Sequence, residues 1–589
     1  MTSSQRYDVV LVGAGLAGLS LARHLLLDTD KRVLLLERRP EVPSERQKVG
    51  ESTVQVAGYY LSKILDLEEY LQRRHYMKYN LRFYWPTPGL DAGRFQDYSA
   101  SYIRELSNIA SYQLDRNELE RELLRRNLES DRFHFVPSVS ELEVALSDDG
   151  PHAIAFRSGA GREELSADWV VDTSGRGRYL AKRLDMKRPN SIHHGAFFWW
   201  VDGLVDIEKL TDLSRREARL HHGRRRSGHL PSWLATNHFC FEGGWFWVIP
   251  LQGKTSLGLV YDHRVVAHDD VFSVEKATRW VCERFPIFAR DLPERQVLDF
   301  AGYRDFSYDC ARTISPARWA LAGEAGRFTD PLYSPGSDLI SIYNTLIVDA
   351  VETDDRASLA GKCPLYEQLM RSVYAAYEPS YAVSYDALGD QETFTLKYVW
   401  ELAIYFAFYV FPFTNDLLTE ARFQTAWLRR FARLGPINGG VQRLLSGYFQ
   451  WKKSRPVLAA EEPVLFEMTA IAALYRARET FYAVDPSMAE AKSILAEQLG
   501  HLEELARFFA AWVGSRVLDD VSLVRHAGFV EAFDLADLSF DPEGLRRAAA
   551  AAGPWREYPW SFDPEVLEPL VAAGVTDAPR ATGPIATSA

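Results

Sequence analysis

Cysteine is scarce. Four residues, Cys240, Cys282, Cys310 and Cys363, are spread over 589 positions, and no two form a CxxC pair. That spacing supports neither a disulfide framework nor a cysteine-based zinc site, and it suits a reducing compartment. No HxH or HExxH spacing accompanies His193-His194, so no metal is expected. The nucleophile elbow GxSxG is missing, which counts against an α/β-hydrolase. Long basic runs are missing too: 68 Lys+Arg against 80 Asp+Glu leave a net charge of −12. Such a chain is not expected to bind nucleic acid. The most apolar later stretch, Leu402 to Phe413, falls short of the roughly 20 residues a spanning helix needs, so no stable membrane span is expected. The opening MTSSQRY leads straight into a strand without a signal-peptide pattern, and the expected location is cytoplasmic.

What the chain does have is length and aromatic rings. A single core stops growing near roughly 250–300 residues, so 589 residues imply more than one domain. Aromatic residues make up 13 %, enough to wall large flat apolar clefts as well as to fill a core. Residues 1–185 open with strand, Gly turn, helix and strand, and close on a second Gly-bearing strand end, Val170-Val171-Asp172-Thr173-Ser174-Gly175. Residues 186–310 are rich in aromatic and β-branched residues, with strand-like runs at Phe197–Val201, Trp245–Pro250 and Thr255–Tyr261. From about 360 to 575 the pattern is helical, clearest over 488–513, where apolar residues recur every three to four positions. Residues 576–589 read as a flexible tail.

The strongest local signal lies at the start. Tyr7–Val12 is a short apolar strand, followed by Gly13-Ala14-Gly15-Leu16-Ala17-Gly18 and an apolar helix. A second strand, Arg32–Leu36, ends in Glu37. This is the dinucleotide-binding fingerprint in its strand–turn–helix context. Gly13 makes the tight turn, Gly15 lets the backbone approach a pyrophosphate, and Gly18 lets helix and strand pack closely. The free N–H groups of the helix N-terminus attract the phosphates, and Glu37 accepts from a ribose diol.

Five islands in the first 345 residues resemble the flavin-dependent halogenase family, within the FAD monooxygenase superfamily. They are the Gly13–Gly18 turn, Val49-Gly50-Glu51-Ser52, Tyr112–Arg116, Asp172–Gly175 and Gly323-Glu324-Ala325-Gly326. Two motifs carry the resemblance further: Trp245-Phe246-Trp247-Val248-Ile249-Pro250 fits WxWxIP, and Phe328–Gly336 fits the FxxPxxSxG pattern of phenol- and pyrrole-type members. The resemblance implies an α/β fold: a Rossmann-like FAD-binding domain over 1–185, an inserted β-rich substrate side over 186–310, a return to the FAD domain over 311–355, and a helical C-terminal region. It implies FAD held by Gly13, Gly15, Gly18, Glu37, Gly50, Glu51, Ser52, Arg116, Asp172, Gly323, Glu324, Pro331 and Gly336. It further implies that reduced flavin comes from a separate reductase and that its hydroperoxide oxidises chloride or bromide to hypohalous acid. On the same resemblance Lys78 is expected to deliver the halogen to a phenol- or pyrrole-like ring, free or carrier-tethered, in secondary metabolism. Trp245 and Trp247, on one face of a strand, shield the flavin, Ser334 sits beside it, and the Gly336 and Ser337 amides hold the halide.

Three residues depart from the family pattern. Glu324 stands for the usual Asp, keeping the charge. Tyr333 replaces the Glu of tryptophan-specific members, which turns the expectation from free tryptophan to a phenol or pyrrole. Pro335 has no N–H to offer a halide, which keeps open a flavin monooxygenase or dehydrogenase that uses no halide. The basic segment His221-His222-Gly223-Arg224-Arg225-Arg226 is a candidate docking point for an acidic carrier, though a solvated loop explains it as well.

Overall fold

The computed structural model describes residues 5–224 and 229–571. Arg225 and Arg226 of the basic segment and the expected tail 576–589 lie outside the described residues. The segment's first half closes a helix, Arg215–Arg224.

Two sheets organise the chain. In the first, the Gln5–Val12 strand is flanked in parallel by Val33–Leu36 and Gly161–Asp172; Phe133–Val136 and Trp319–Leu321 extend the parallel set. Helices cover both faces of a parallel sheet, so its strands must be apolar throughout. Val9, Val10 and Leu11 are accordingly sealed from solvent. Register decides which residues meet at the strand ends. Val12 pairs with Leu36 and Asp172, and Asp172 pairs with Leu321. The next residues, Gly13, Glu37, Thr173 and Ala322, therefore emerge together at the carboxyl edge, where open α/β sheets bind their ligands.

The second sheet runs Val297–Tyr303, His194–Asp202, Lys254–Asp262, Gly244–Leu251, Thr236–Phe241, Leu81–Pro86, Tyr98–Tyr102 and Leu465–Glu467. The three expected strand runs lie within it. It is not confined to 186–310, however: two strands come from the first 185 residues and one from the helical region. Leu81–Pro86 joins through a parallel pairing with Thr236–Phe241. Strand propensity is local, whereas the choice of partner spans some 150 residues.

The C-terminal region is built on long helices, Arg356–Ala382, Ala421–Lys453 and Met488–Leu518. The last begins with a capping box between Ser487 and Glu490. The apolar run 402–413 is part of a longer helix than its composition suggested. Helix Gln391–Tyr405 continues through a π-helical turn, Phe406–Val410, to Thr414. Pro412 does not end it, because it sits in the first turn of the final segment. By length and composition this 24-residue stretch could cross a membrane, but 94 % of its apolar window is buried inside the protein. It packs on the second sheet. Ser101 and Thr395 hydroxyls meet at 2.7 Å and the Phe83 and Phe394 rings lie 4.7 Å apart, while Trp85 Nε1 donates at 2.8 Å to the Leu388 carbonyl in the turn just before the helix.

Candidate active site

The Gly turn has the steric logic of its motif. A Cβ on Gly13 (φ +114°) would lie 2.7 Å from the Thr173 carbonyl oxygen, and one on Gly18 would lie 2.1 Å from the Gly13 oxygen. At Gly15 nothing stands within 4 Å, which leaves room for a ligand's backbone approach. The Glu37 carboxylate accepts from the Ala14 amide (2.8 Å) and from the Arg39 amide (2.9 Å) and guanidinium (3.0 Å). Burial alone would raise its pKa, but these donors outweigh burial and hold it below the usual range. Asp172 acts differently from what its motif implied. Its two oxygens accept from the Ser174 and Leu180 amides at 2.9 and 2.7 Å, so it anchors the loop that touches Gly13.

Downstream of this turn lies a cavity of about 990 Å³. Gly50, Glu51, Ser52, Arg116, Trp245, Trp247, Glu324, Pro331, Ser334, Gly336 and Ser337 all line it, and Gly323 adjoins through Glu324. Residues nearly 290 positions apart thus share one wall, with the concave and mostly apolar character of a cofactor site. Asp115 caps the Arg116–Asn127 helix by accepting from the Asn117 amide at 2.9 Å, which aims Arg116 at the Val49 carbonyl (2.8 Å). Gly50, at φ +86°, makes room: a Cβ there would meet the Arg116 Nη1 at 2.7 Å. Glu51 accepts from Trp200 Nε1 (2.6 Å) and the Ser256 hydroxyl (2.5 Å). Burial lifts its carboxyl to about 7 against the pull of these bonds. Burial also raises Glu324, opposed by Arg176 and Arg116.

Trp245, Trp247 and Ile249 share one face, as the period of a strand requires, and all three line this cavity. The Trp245 indole donates to the Tyr385 hydroxyl at 2.8 Å, and Tyr385 donates to Asp330 at 3.3 Å. The helical region therefore braces the tryptophan wall. Trp247 donates to Ser256 at 3.2 Å and lies across Gly258.

A second cavity, about 760 Å³, shares a partition with the first. Ser334 faces one side and its neighbours Tyr333 and Pro335 face the other. Tyr333 and Ser334 both adopt left-handed backbone (φ +69° and +61°), strain of the kind held at functional sites. Lys78 lies in the second cavity and is buried. Its Nζ donates at 2.8 Å to both the Ser52 hydroxyl and the Thr53 carbonyl. Ser52 itself lines the first cavity, so a single hydrogen bond joins the two. Burial lowers the lysine to about 7, with Asp338 pulling it back upwards.

Several residues here went unmarked in the sequence. Asp338 lies in the first turn of the Pro335–Glu352 helix, where its carboxylate accepts from the Ala57 amide (2.8 Å) and the Tyr405 hydroxyl (2.6 Å). Burial raises it to about 7, against those two bonds and Lys78. His238 lines the first cavity and stacks on Phe83 at 4.8 Å; burial and then Lys78 lower it to about 3, so it stays neutral. The helical region supplies the far wall of the second cavity through Tyr377, Tyr398, Glu401, Tyr405 and Phe481; here the sequence held a pointer, since the stretch Tyr385–Phe413 is rich in Tyr and Phe and suited to such a wall. A second signal was readable: Lys397 and Glu401, spaced i,i+4, enter an apolar run where unpaired charge would be costly.

Among known proteins, the family model described as "Tryptophan halogenase" matches residues 225–353. The chain is 27 % identical over 360 residues to flavin-dependent halogenase chlA of Dictyostelium discoideum, covering 57 % of this chain and 58 % of that one. To tetracycline 7-halogenase of Kitasatospora aureofaciens it is 26 % identical, covering 60 % and 65 %. The matches thus span less than two thirds of these relatives. Among solved structures, halogenase PltM in complex with phloroglucinol and FAD superposes with a TM-score of 0.57 over 85 % of this chain and 96 % of that one, at 17 % identity, a likeness of fold.

Proposed function

We propose that this chain, which belongs to the flavin-dependent halogenase family, binds FAD along the Gly13–Gly18 turn and the first cavity, and halogenates an electron-rich aromatic ring in the second. The observation that carries this reading is the pair of cavities back to back, with buried Lys78 hydrogen-bonded through the partition to Ser52. The residues present fit the cofactor: an open approach at Gly15, a dipolar helix start, Glu37 for the ribose, and Arg116, Arg176 and Glu324 around a flat aromatic-walled space. Reduced FAD, when bound, would supply the two electrons that bring dioxygen to the peroxide level, and that oxidant would in turn take two electrons from the halide. A single dinucleotide turn in the chain suits a separate reductase as the source of that reduced flavin.

The protein's own groups then divide the work. Trp245 and Trp247 keep the organic substrate from the flavin side. The Gly336 and Ser337 amides open the Pro335–Glu352 helix, where N–H groups lack carbonyl partners within the helix and attract an anion. Lys78, with two donors committed to Ser52 and Thr53, keeps one position of its amine towards the second cavity. With a pKa near 7 it can hold the oxidised halogen species as donor or as nucleophile. The ring then meets halogen only at Lys78.

The test is product analysis with purified protein, FAD, a flavin reductase, oxygen, and chloride or bromide over a panel of phenols and pyrroles, free and carrier-tethered. Halogenated product is expected, and Lys78→Ala should lose it while oxygen consumption by reduced flavin continues. Pro335, at the helix's first position without an N–H, favours one alternative: a monooxygenase or dehydrogenase on the same scaffold. That enzyme would give hydroxylated or dehydrogenated product at the same rate with halide omitted.

A further inference from the structure

In the second cavity the Tyr333 phenol and the Glu401 carboxylate interact with each other, yet neither the hydroxyl nor the second carboxylate oxygen has a hydrogen bond within 3.5 Å. Glu401 Oε1 is engaged by Lys397 Nζ and, at 3.0 Å, by Gln442 Nε2, but Glu401 Oε2 is buried with no hydrogen bond. The hydroxyl of Tyr333, buried in the partition, likewise has none within 3.5 Å, its neighbouring acceptor being Glu401 itself. Both residues line the cavity. A buried carboxylate oxygen left without a hydrogen bond is destabilising, and such an atom in a native cavity needs an explanation. Lys397 accounts for the charge of Glu401. It is fully enclosed, fixed also by the Ser380 carbonyl and hydroxyl at 3.0 and 2.7 Å, and leaves the second oxygen free.

We propose that Glu401 and Tyr333 are the specificity-determining pair of the second cavity and that they select a hydroxyaromatic ring: its hydroxyl donates to Glu401 Oε2 and accepts from the Tyr333 hydroxyl. This rests on the reading of that cavity as the aromatic substrate's site. One hydroxyl can bridge this pair because it is donor and acceptor at once, whereas a pyrrole N–H only donates and an ether only accepts. Tyr333 is suited to donating: burial, and after it the Glu401 charge, pushes its phenol well above the ordinary value, so it stays protonated. The tilted Tyr398 ring, 4.8 Å from Tyr333, adds an aromatic wall beside the pair.

The experiment is calorimetric titration of the FAD-loaded protein with resorcinol and with 1,3-dimethoxybenzene, which has the same ring without the hydroxyl protons. Wild type should bind resorcinol about 10- to 100-fold more tightly than the ether, the range of a hydrogen bond to a charged group. Glu401→Gln, whose amide oxygen can face Lys397 while its NH2 faces the cavity, should erase that preference. Tyr333→Phe, which leaves the buried ion pair untouched, should weaken resorcinol by a smaller factor and leave the ether unchanged. Equal affinity of wild type for the two probes, or binding of neither, overturns the proposal, as does an unchanged preference in Glu401→Gln. Product analysis on the same proteins separates the two readings. Halogenation of both probes alike would sink the Glu401 assignment and leave the halogenase intact. Selective resorcinol binding without halogenation in any condition would do the reverse.

Discussion

Lys78 offers a sharp test of the second cavity, because its pKa has a definite consequence for stability. In the folded protein burial brings the amine from 10.5 to about 7. Between those values the unfolded chain binds more protons than the folded one, so stability rises with pH across that window. Below about pH 7 the burial cost is present in full, and it vanishes as pH climbs through the unfolded value. At about 1.4 kcal/mol per pKa unit, the displacement amounts to ~5 kcal/mol at neutral pH and below. Lys78→Met keeps the side chain's length and removes the charge. It gives up two hydrogen bonds, worth about 1 kcal/mol each, so the variant should be the more stable near pH 6 by ~2–3 kcal/mol. Its advantage should shrink by about 3 kcal/mol on going to pH 9.5, as the linkage relation gives for these two pKa values. Asp338, raised to about 7 in part despite Lys78, titrates mainly below this window; losing the lysine would move it up and act in the same direction. The assay is chemical denaturation of wild type and Lys78→Met at several pH values in the same flavin-loaded state. Groups that do not feel the Lys78 charge cancel in the difference. A difference that is flat from pH 6 to 9.5 would show that Lys78 is solvated and is no sealed, nucleophilic amine.

Gly18→Ala places a methyl 2.1 Å from the Gly13 oxygen; separating turn from helix should cost ~1–3 kcal/mol and release FAD, read by flavin absorbance after gel filtration. A variant that keeps FAD as wild type does would refute the packing role. Gly258→Ala meets the Trp247 indole at 2.1 Å, so the ring must turn into the first cavity, and the apparent Kd for FAD should rise about tenfold, the effect of ~1.4 kcal/mol; fluorescence titration checks it. Ser337→Pro removes one of the two amides assigned to the halide in a helix turn that tolerates proline. Bromide KM should rise on the order of 10-fold or more while circular dichroism is unchanged; an unaltered KM places the halide elsewhere.

Much of the first sheet was legible because its information is local. A strand, three glycines at fixed spacing, a helix and a terminal carboxylate occupy 31 consecutive residues from Tyr7 to Glu37; Gly13 and Gly18 answer contacts made inside that unit or with the loop at Thr173, and Gly15 leaves open space. The motif residues of the first cavity could be enumerated for the same reason, since each island carries its own chemistry. Asp172 shows the limit. Its motif placed it among ligand-binding residues, yet in the fold two backbone amides take its carboxylate. A strand-end aspartate is equally well used by its own turn, and spacing does not distinguish the two.

The opening strand, the Gly turn and the aromatic strand at Trp245 were decided by sequence alone, through periodicity and the sterics of single residues. Tertiary structure decided what those pieces face. Only the sheet registers bring Gly13, Glu37 and Thr173 to one edge, and only the packing of helix Gln391–Thr414 on the second sheet turns Glu401 into a cavity wall. The pKa of Lys78, the orphaned oxygen of Glu401 and the partition between the cavities belong to that second class. Each depends on what is buried next to what, and burial is set by chain segments hundreds of residues apart, beyond the reach of any local pattern.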